Sequence, residues 1–151
     1  STPIKSSAAS DVYKRQVHVD GLYHCCQAVL PHMIRQKAGR IVTVSSMWGE
    51  VGASCEVHYS AAKSAVIGMT KALAKELGPS GITVNCVSPG VIDTDMNNML
   101  TQEAREALCE ETPLCRIGTA REAAEAIAFL ASGKASFITG QVLGVNGGIV
   151  I

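Results

Sequence analysis

Tyr59 and Lys63 stand four residues apart, and Ser46 precedes the tyrosine by thirteen. Residues at i and i+4 of a helix share one face, with Cβ atoms about 5–6 Å apart. At about 6 Å and an effective dielectric near 20, Coulomb's law gives roughly 3 kcal/mol in favour of a phenolate beside an ammonium. That pushes a phenol toward the range in which a general acid or base works best. Ser46, arriving from another element, can donate a hydrogen bond to a carbonyl oxygen as negative charge develops on it. Together the three can protonate and polarise a carbonyl while a hydride reaches or leaves its carbon.

A Y-x-x-x-K pattern alone is weak, and the elements around it make it specific. Gly39-Arg40-Ile41-Val42-Thr43-Val44 is a short β-branched run ending in Ser45-Ser46, as a buried parallel strand reads. Residues 59–77 read as a helix with Ala61, Ala62, Ala65, Val66, Met69, Ala72, Leu73 and Leu77 at its apolar positions, stopped by Gly78-Pro79. Gly81-Ile82-Thr83-Val84-Asn85-Cys86-Val87-Ser88 is a second strand, broken by Pro89-Gly90. Upstream, residues 17–36 predict a helix with Val19, Leu22, Ala28, Val29, Leu30, Met33 and Ile34 apolar, and Pro31 predicts a kink or break in it. Residues 101–111 predict a short helix capped by Thr101, with Ala104 and Leu108 inward. Thr119-Ala120-Arg121-Glu122 opens another, with Ala123, Ala124, Ile127, Ala128 and Leu130 inward, and residues 141–145 form the last strand. Strands alternating with helices predict an α/β fold with a parallel sheet.

Ser46, Tyr59 and Lys63, the turn Ser88-Pro89-Gly90-Val91-Ile92-Asp93-Thr94 and the closing Val145-Asn146-Gly147-Gly148 resemble the short-chain dehydrogenase/reductase family over residues 17–151. The resemblance implies a Rossmann-like doubly wound parallel sheet and a nicotinamide cofactor, NADPH or NADH. It also implies roles. Tyr59 is the acid in reduction and the base in the reverse direction, Lys63 supports it and holds ribose hydroxyls, and Ser46 orients the carbonyl. Pro89, Gly90, the Ile92 backbone and Thr94 belong to the loop that holds the nicotinamide carboxamide, and residues 96–100 with the helix after them fall at a mobile substrate lid. A homo-oligomer is implied in the same way. An epimerase or dehydratase of the extended branch shares Y-x-x-x-K, but the Pro-Gly-Val-Ile-Asp-Thr loop and the Asn-Gly-Gly ending argue against it.

Two departures stand out. No glycine-rich strand-to-helix turn precedes Val17, so the chain reads as the C-terminal portion of the doubly wound domain without its first mononucleotide-binding half. On that reading it binds the cofactor poorly or not at all. The family's fourth catalytic residue is an asparagine, and His18 takes its place here. Histidine there can hold a water or shuttle a proton, or it can mark a damaged site; both readings stand. Asp11-Val12-Tyr13-Lys14-Arg15-Gln16 reads like translated sequencing adapter, so residues 1–16 read as a non-native leader, set aside from the fold; a native polar tail is the alternative.

The resemblance to 3-oxoacyl-acyl-carrier-protein reductases is general. Ser45-Ser46-Met47-Trp48-Gly49-Glu50-Val51-Gly52-Ala53-Ser54-Cys55-Glu56-Val57 is more particular and looks like the group that reduces a 5-aminopentanone attached to elongation factor P. Trp48 and Glu56 then flank the substrate mouth, or are plain packing and a solvated charge. A carboxylate suits an amino-bearing ketone better than an acidic carrier protein. The expected partner is thus a ketone substrate carried on modified elongation factor P or on acyl carrier protein.

Thirteen basic and thirteen acidic residues leave no electrostatic footprint for nucleic acid or an acidic membrane surface. No apolar run reaches the roughly 18 residues of a membrane span. Cys25, Cys26, Cys55, Cys86, Cys109 and Cys115 lack zinc spacing, and the histidines His18, His24, His32 and His58 lack H-x-x-x-H pairing. Reduced thiols and a cytoplasmic location are expected, with no metal.

Overall fold

β-branched stretches with short hydrophilic punctuation set the strands of the computed structural model, which describes residues 8–97 and 100–151. Strand β1 (Gly39–Val44) pairs in parallel with β2 (Ile82–Pro89), in a register that sets Gly39 against Ile82 and Val44 against Val87. Strand β5 (Val142–Val145) lies on the other side of β2, with Cys86 opposite Val142. The sheet order is β1-β2-β5, and the parallel pairing requires long crossovers. A separate two-residue pair joins β3 (Ile92–Asp93) to β4 (Gly118–Thr119).

Alternation along β2 sends successive side chains to opposite faces. Ile82 and Val84 pack with Ala74 and Leu77 of helix α4 (Val57–Leu77) and with Leu30 and Met33 of α2 (Gly21–Gln36). Val87 faces the other way, onto Leu130, Ala126 and Ile127 of α6 (Ala120–Ala131) and onto Ala135. Helices therefore cover both faces, as the α/β reading requires.

Caps follow the expected chemistry. Thr101 Oγ1 accepts from the Ala104 N–H at the start of α5 (Gln102–Glu111), and Thr119 with Glu122 forms a reciprocal capping box on α6. Ala104 and Leu108 are half-buried.

Two expectations need correction, and a segment set aside from the fold carries a helix. Pro31 does not break α2, which runs unbroken through it, because the one N–H it removes lies mid-helix on an exposed face while Cys26, Leu30 and Met33 anchor the other side. On α6, Ala124 and Ala128 are exposed, and Ala126 packs inward instead. Small alanines tolerate either environment, so the face is chosen by Ile127 and Leu130. Residues 1–16 were set aside from the fold, yet Ala8–Arg15 forms a helix, α1, that continues through a π-helical turn (Gln16–Asp20) into α2; residues 1–7 lie outside the described residues. That conformation bears on the fold and not on the origin of the segment.

Candidate active site

Ser46 caps helix α3 (Met47–Val51), its Oγ accepting from the Trp48 N–H at 3.3 Å. Since that oxygen accepts, its own proton remains to be donated. Helix α3 lies unusually close on α4. A Cβ on Gly49 would fall 2.8 Å from the Lys63 carbonyl carbon and 2.9 Å from its Cβ, so only glycine permits the approach. Three hydrogen bonds clamp the pair: Ser45 Oγ donates to Lys63 O (2.8 Å), Ser64 Oγ to Gly49 O (2.6 Å), and the Ala53 N–H to Ser60 Oγ (3.1 Å). Ser46 is thereby held against the helix that carries Tyr59 and Lys63.

The buried face of α4 is half polar, with Ser60, Lys63 and Thr70 among Ala62, Val66, Ala74 and Leu77. Thr70 Oγ1 donates to Val66 O and shares a 2.6 Å bond with Thr43 Oγ1 of β1. Lys63 is 8% exposed, and its ammonium donates to Val44 O at 3.2 Å and stands 5.6 Å from the Tyr59 ring centre. Burial pushes the Lys63 pKa down, partly countered by Cys86 nearby.

His18 lies in the π-helical turn and meets the Tyr59 ring edge-on, with centres 5.7 Å apart. Burial, then Lys63 and Lys14, lowers its pKa from 6.5, favouring the neutral imidazole. Helical π-turns recur at functional sites because the extra residue re-aims a side chain.

These groups meet at a cavity of about 630 Å³, lined by Ser46, Trp48, Glu56, Tyr59 and His18 together with Tyr13, Lys14, Met47, Gly90, Val91, Asn97, Leu100 and Leu108. Of the loop residues expected to hold a cofactor, Gly90 lines it, whereas Pro89, Ile92 and Thr94 do not; Ile92 is buried against Gly118 and Thr94 is exposed. Asn97, Leu100 and Leu108 fall on the segment expected to form a lid, of which Asn98 and Met99 lie outside the described residues. Sequence reasoning missed Ser60, Ser64 and Thr70, because sorting a helix by hydrophobicity puts small hydroxyls on the solvent side, and Ser45, between β1 and α3, carries no such pattern. It also missed Tyr13 and Lys14, which it had set aside. Among the described residues no group of three or more His, Cys, Asp or Glu side chains could hold a metal, and all six cysteines are free thiols. No described helix is long and apolar enough to cross a membrane.

A family model described as Enoyl-(Acyl carrier protein) reductase matches residues 8–150. The chain belongs to the short-chain dehydrogenase/reductase family. It is 55% identical over 133 residues to the Bacillus subtilis (strain 168) protein named Uncharacterized oxidoreductase YmfI, covering 88% of this chain and 55% of that one. It is 47% identical over 135 residues to the Thermotoga maritima 3-oxoacyl-[acyl-carrier-protein] reductase, covering 89% and 55%. Among solved structures, a gluconate 5-dehydrogenase from Burkholderia cenocepacia J2315 in complex with NADP and tartrate superposes with a TM-score of 0.92 at 32% identity, over 96% of this chain and 58% of that one. The chain spans about half the length of the curated relatives it matches. Its α/β fold with a parallel sheet is that of the family's Rossmann-like dehydrogenases.

The residues present fit the ring end of a nicotinamide cofactor. Lys63, behind the cavity lining, uses one of its three N–H bonds on Val44 O, leaving two for ligand hydroxyls, and Gly90 and Val91 edge the cavity that Tyr59 lines.

Proposed function

We propose that the protein works as an NAD(P)H-dependent reductase that converts a ketone to an alcohol, with Ser46, Tyr59 and Lys63 as its catalytic centre. The observation that carries the proposal is the convergence of those three side chains: Ser46 and Tyr59 on one cavity wall, with the Lys63 ammonium 5.6 Å from the phenol ring. A bound reduced nicotinamide supplies the hydride to the carbonyl carbon. The chain's own groups do the rest. Tyr59 gives its hydroxyl proton to the carbonyl oxygen, and Ser46 donates a hydrogen bond to that oxygen as it gains charge. Lys63, fixed by Val44 O, stabilises negative charge on the tyrosine oxygen and holds ribose hydroxyls, while Gly90 lines the cavity. Pro89, Ile92 and Thr94 shape the same loop from outside the cavity. His18, edge-on to the Tyr59 ring, can shuttle a proton to the phenolate, taking one up from water as it gives one away.

The substrate reading we favour is an amino-bearing ketone of the kind carried by modified elongation factor P. Glu56 on the cavity rim and Trp48 beside Ser46 support it. The alternative, a 3-oxoacyl group on acyl carrier protein, draws on the likeness to the Thermotoga maritima reductase. A homo-oligomer accords with apolar side chains left exposed on α2, namely Tyr23, Val29 and Ile34. A third reading, an inactive fragment, draws on the half-length coverage.

The test uses this chain beside a version extended at its N-terminus with a relative's dinucleotide-binding half. In whichever form binds cofactor, Tyr59→Phe should lower ketone reduction by about 10²–10⁴-fold, the usual contribution of a positioned acid. Retention of more than a tenth of the activity would remove Tyr59 as the acid. Cofactor binding by neither form would favour the inactive fragment.

A further inference from the structure

The turn Asn146-Gly147-Gly148, which follows β5, bonds to two parts of the catalytic cavity's surround without lining the cavity itself. Toward the Pro-Gly loop, the Gly90 N–H donates to Val145 O at 3.0 Å, and a Cβ on Gly90 would fall 2.8 Å from Asn146 Cα. Toward α5, the Leu114 N–H donates to Gly147 O at 3.2 Å, and a Cβ on Gly147 would fall 2.6 Å from Thr112 Cγ2. Thr112 is buried, and its Oγ1 donates to Leu108 O at 2.7 Å. Gly90 and Leu108 both line the cavity. We infer that the turn is a brace that sets the spacing between the loop at Gly90 and the helix at Leu108, and that Asn146 is its positioning residue. The effect on turnover rests on the reductase reading; the mechanical effect does not.

Gly147 and Gly148 sit at φ 65° and 91°, a conformation that glycine reaches freely and holds weakly, since glycine loses the most entropy on being fixed. The Asn146 amide supplies the restraint. Its Oδ1 accepts from the Gly148 N–H at 2.9 Å, and its Nδ2 donates to Val150 O at 2.8 Å. Those partners also fix which way round the amide sits, because an N–H only donates and a carbonyl only accepts. Beside the turn lies a second cavity of about 590 Å³, lined by Val91, Thr112, Asn146 and Gly147 among others. Val91 lines the catalytic cavity as well, so a loop released from the turn has open space to yield into. Ser46 is held separately, by the α3–α4 clamp. Loss of the brace therefore loosens the binding walls and leaves the catalytic hydroxyls in place.

The experiment follows amide hydrogen exchange by NMR in the full chain, in Asn146→Ala and in Asn146→Asp. The Gly90 and Leu114 amides report the two arms of the brace, and Ser45, whose N–H donates to Val87 O beside the β1–β2 ladder, reports the fold. Asn146→Ala removes both side-chain bonds and should speed exchange at Gly90 and Leu114 about ten- to hundredfold, with Ser45 within about threefold. Asn146→Asp keeps the acceptor for the Gly148 N–H and should fall between. Unchanged exchange at Gly90 and Leu114 in Asn146→Ala overturns the inference, as does a rise at one arm alone or an equal rise at Ser45. If Asn146→Ala does not fold, Asn146→Asp is judged by the same amides, and failure of both to fold overturns the positioning role. In a form that turns over, Asn146→Ala should raise KM about three- to tenfold with kcat within about twofold, the mark of binding lost equally from ground and transition states. A fall in kcat at unchanged KM overturns the brace too. The expected exchange pattern in a protein that reduces no ketone would sink the reductase reading and leave the brace standing, and unchanged exchange in an active reductase would do the reverse.

Discussion

Replacing Gly49 by alanine tests the claim that the α3–α4 contact positions the catalytic centre. The added methyl would lie 2.8 Å from the Lys63 carbonyl carbon and 2.6 Å from Ser45 Oγ, about 0.6 Å or more inside ordinary contact. The obstacle is α4 backbone, which cannot rotate away, and relief requires α3 to retreat. Overpacking of this kind costs about 1–3 kcal/mol. Alanine's better helix propensity recovers about 0.5–1 kcal/mol of that. A net loss of about 1–2 kcal/mol is expected, which at a urea slope of about 2 kcal/mol/M lowers the unfolding midpoint by roughly 0.5–1 M. Gly68→Ala is the matched control: it lies in α4, and a Cβ there meets nothing within 4 Å, so a gain of about 0.5–1 kcal/mol is expected. In a form that turns over, a retreat of about 0.6 Å by Ser46 should cost on the order of tenfold in kcat, since about 1 Å of misplacement can cost 10²-fold. If Gly49→Ala matches the parent within about 0.5 kcal/mol while Gly68→Ala stabilises, the close approach is not what holds Ser46 in place.

The other predictions are more local. Because the His18 pKa is lowered below 6.5, the unfolded chain takes up this proton at higher pH than the folded chain. The resulting stability is present in full above 6.5 and lost as pH falls from there toward the folded value. His18→Asn should flatten the fall in urea midpoint between pH about 8 and about 5, and an unchanged slope would show that His18 is not the titrating group. Glu122 is held down to about 2, first by its hydrogen bonds from Arg116 and then by those from Thr119. Its contribution is present above 4.5 and lost as pH falls from 4.5 toward about 2, so Glu122→Gln should remove that part of the acid sensitivity; identical acid-unfolding curves would contradict it. Thr119→Ala should cost about 0.5–2 kcal/mol at neutral pH by removing the other half of the capping box, and a melting temperature equal to the parent's would show α6 needs no cap.

Much of the architecture was legible beforehand because its signals are local. The β-branched runs ending at Val44 and at Pro89 appear as β1 and β2, and threonines at 101 and 119 announce their helices by cap chemistry that needs only three residues of context. Pro31 misled about a break for the same reason, since a local rule about a missing N–H takes no account of the packing that carries α2 past it. The alanines of α6 carried too little information to choose a face.

The candidate centre divides along the same line. Sequence by itself determined that Tyr59 and Lys63 share one helical face, because a spacing of four leaves an α-helix no other option. It also determined the family, since the serine, the Tyr-Lys pair, the Pro-Gly loop and the Asn-Gly-Gly ending recur together in one order. Only the tertiary structure decided that Ser46 comes to that face, through a glycine whose missing Cβ admits a backbone at contact distance and serines that bond across the gap. Only it placed His18 edge-on to the phenol ring and the Lys14 ammonium on Glu56. These last two are meetings of residues 41 and 42 positions apart, and what brings such residues together is the packing of helices on a sheet, a property of the folded whole that no window of sequence contains.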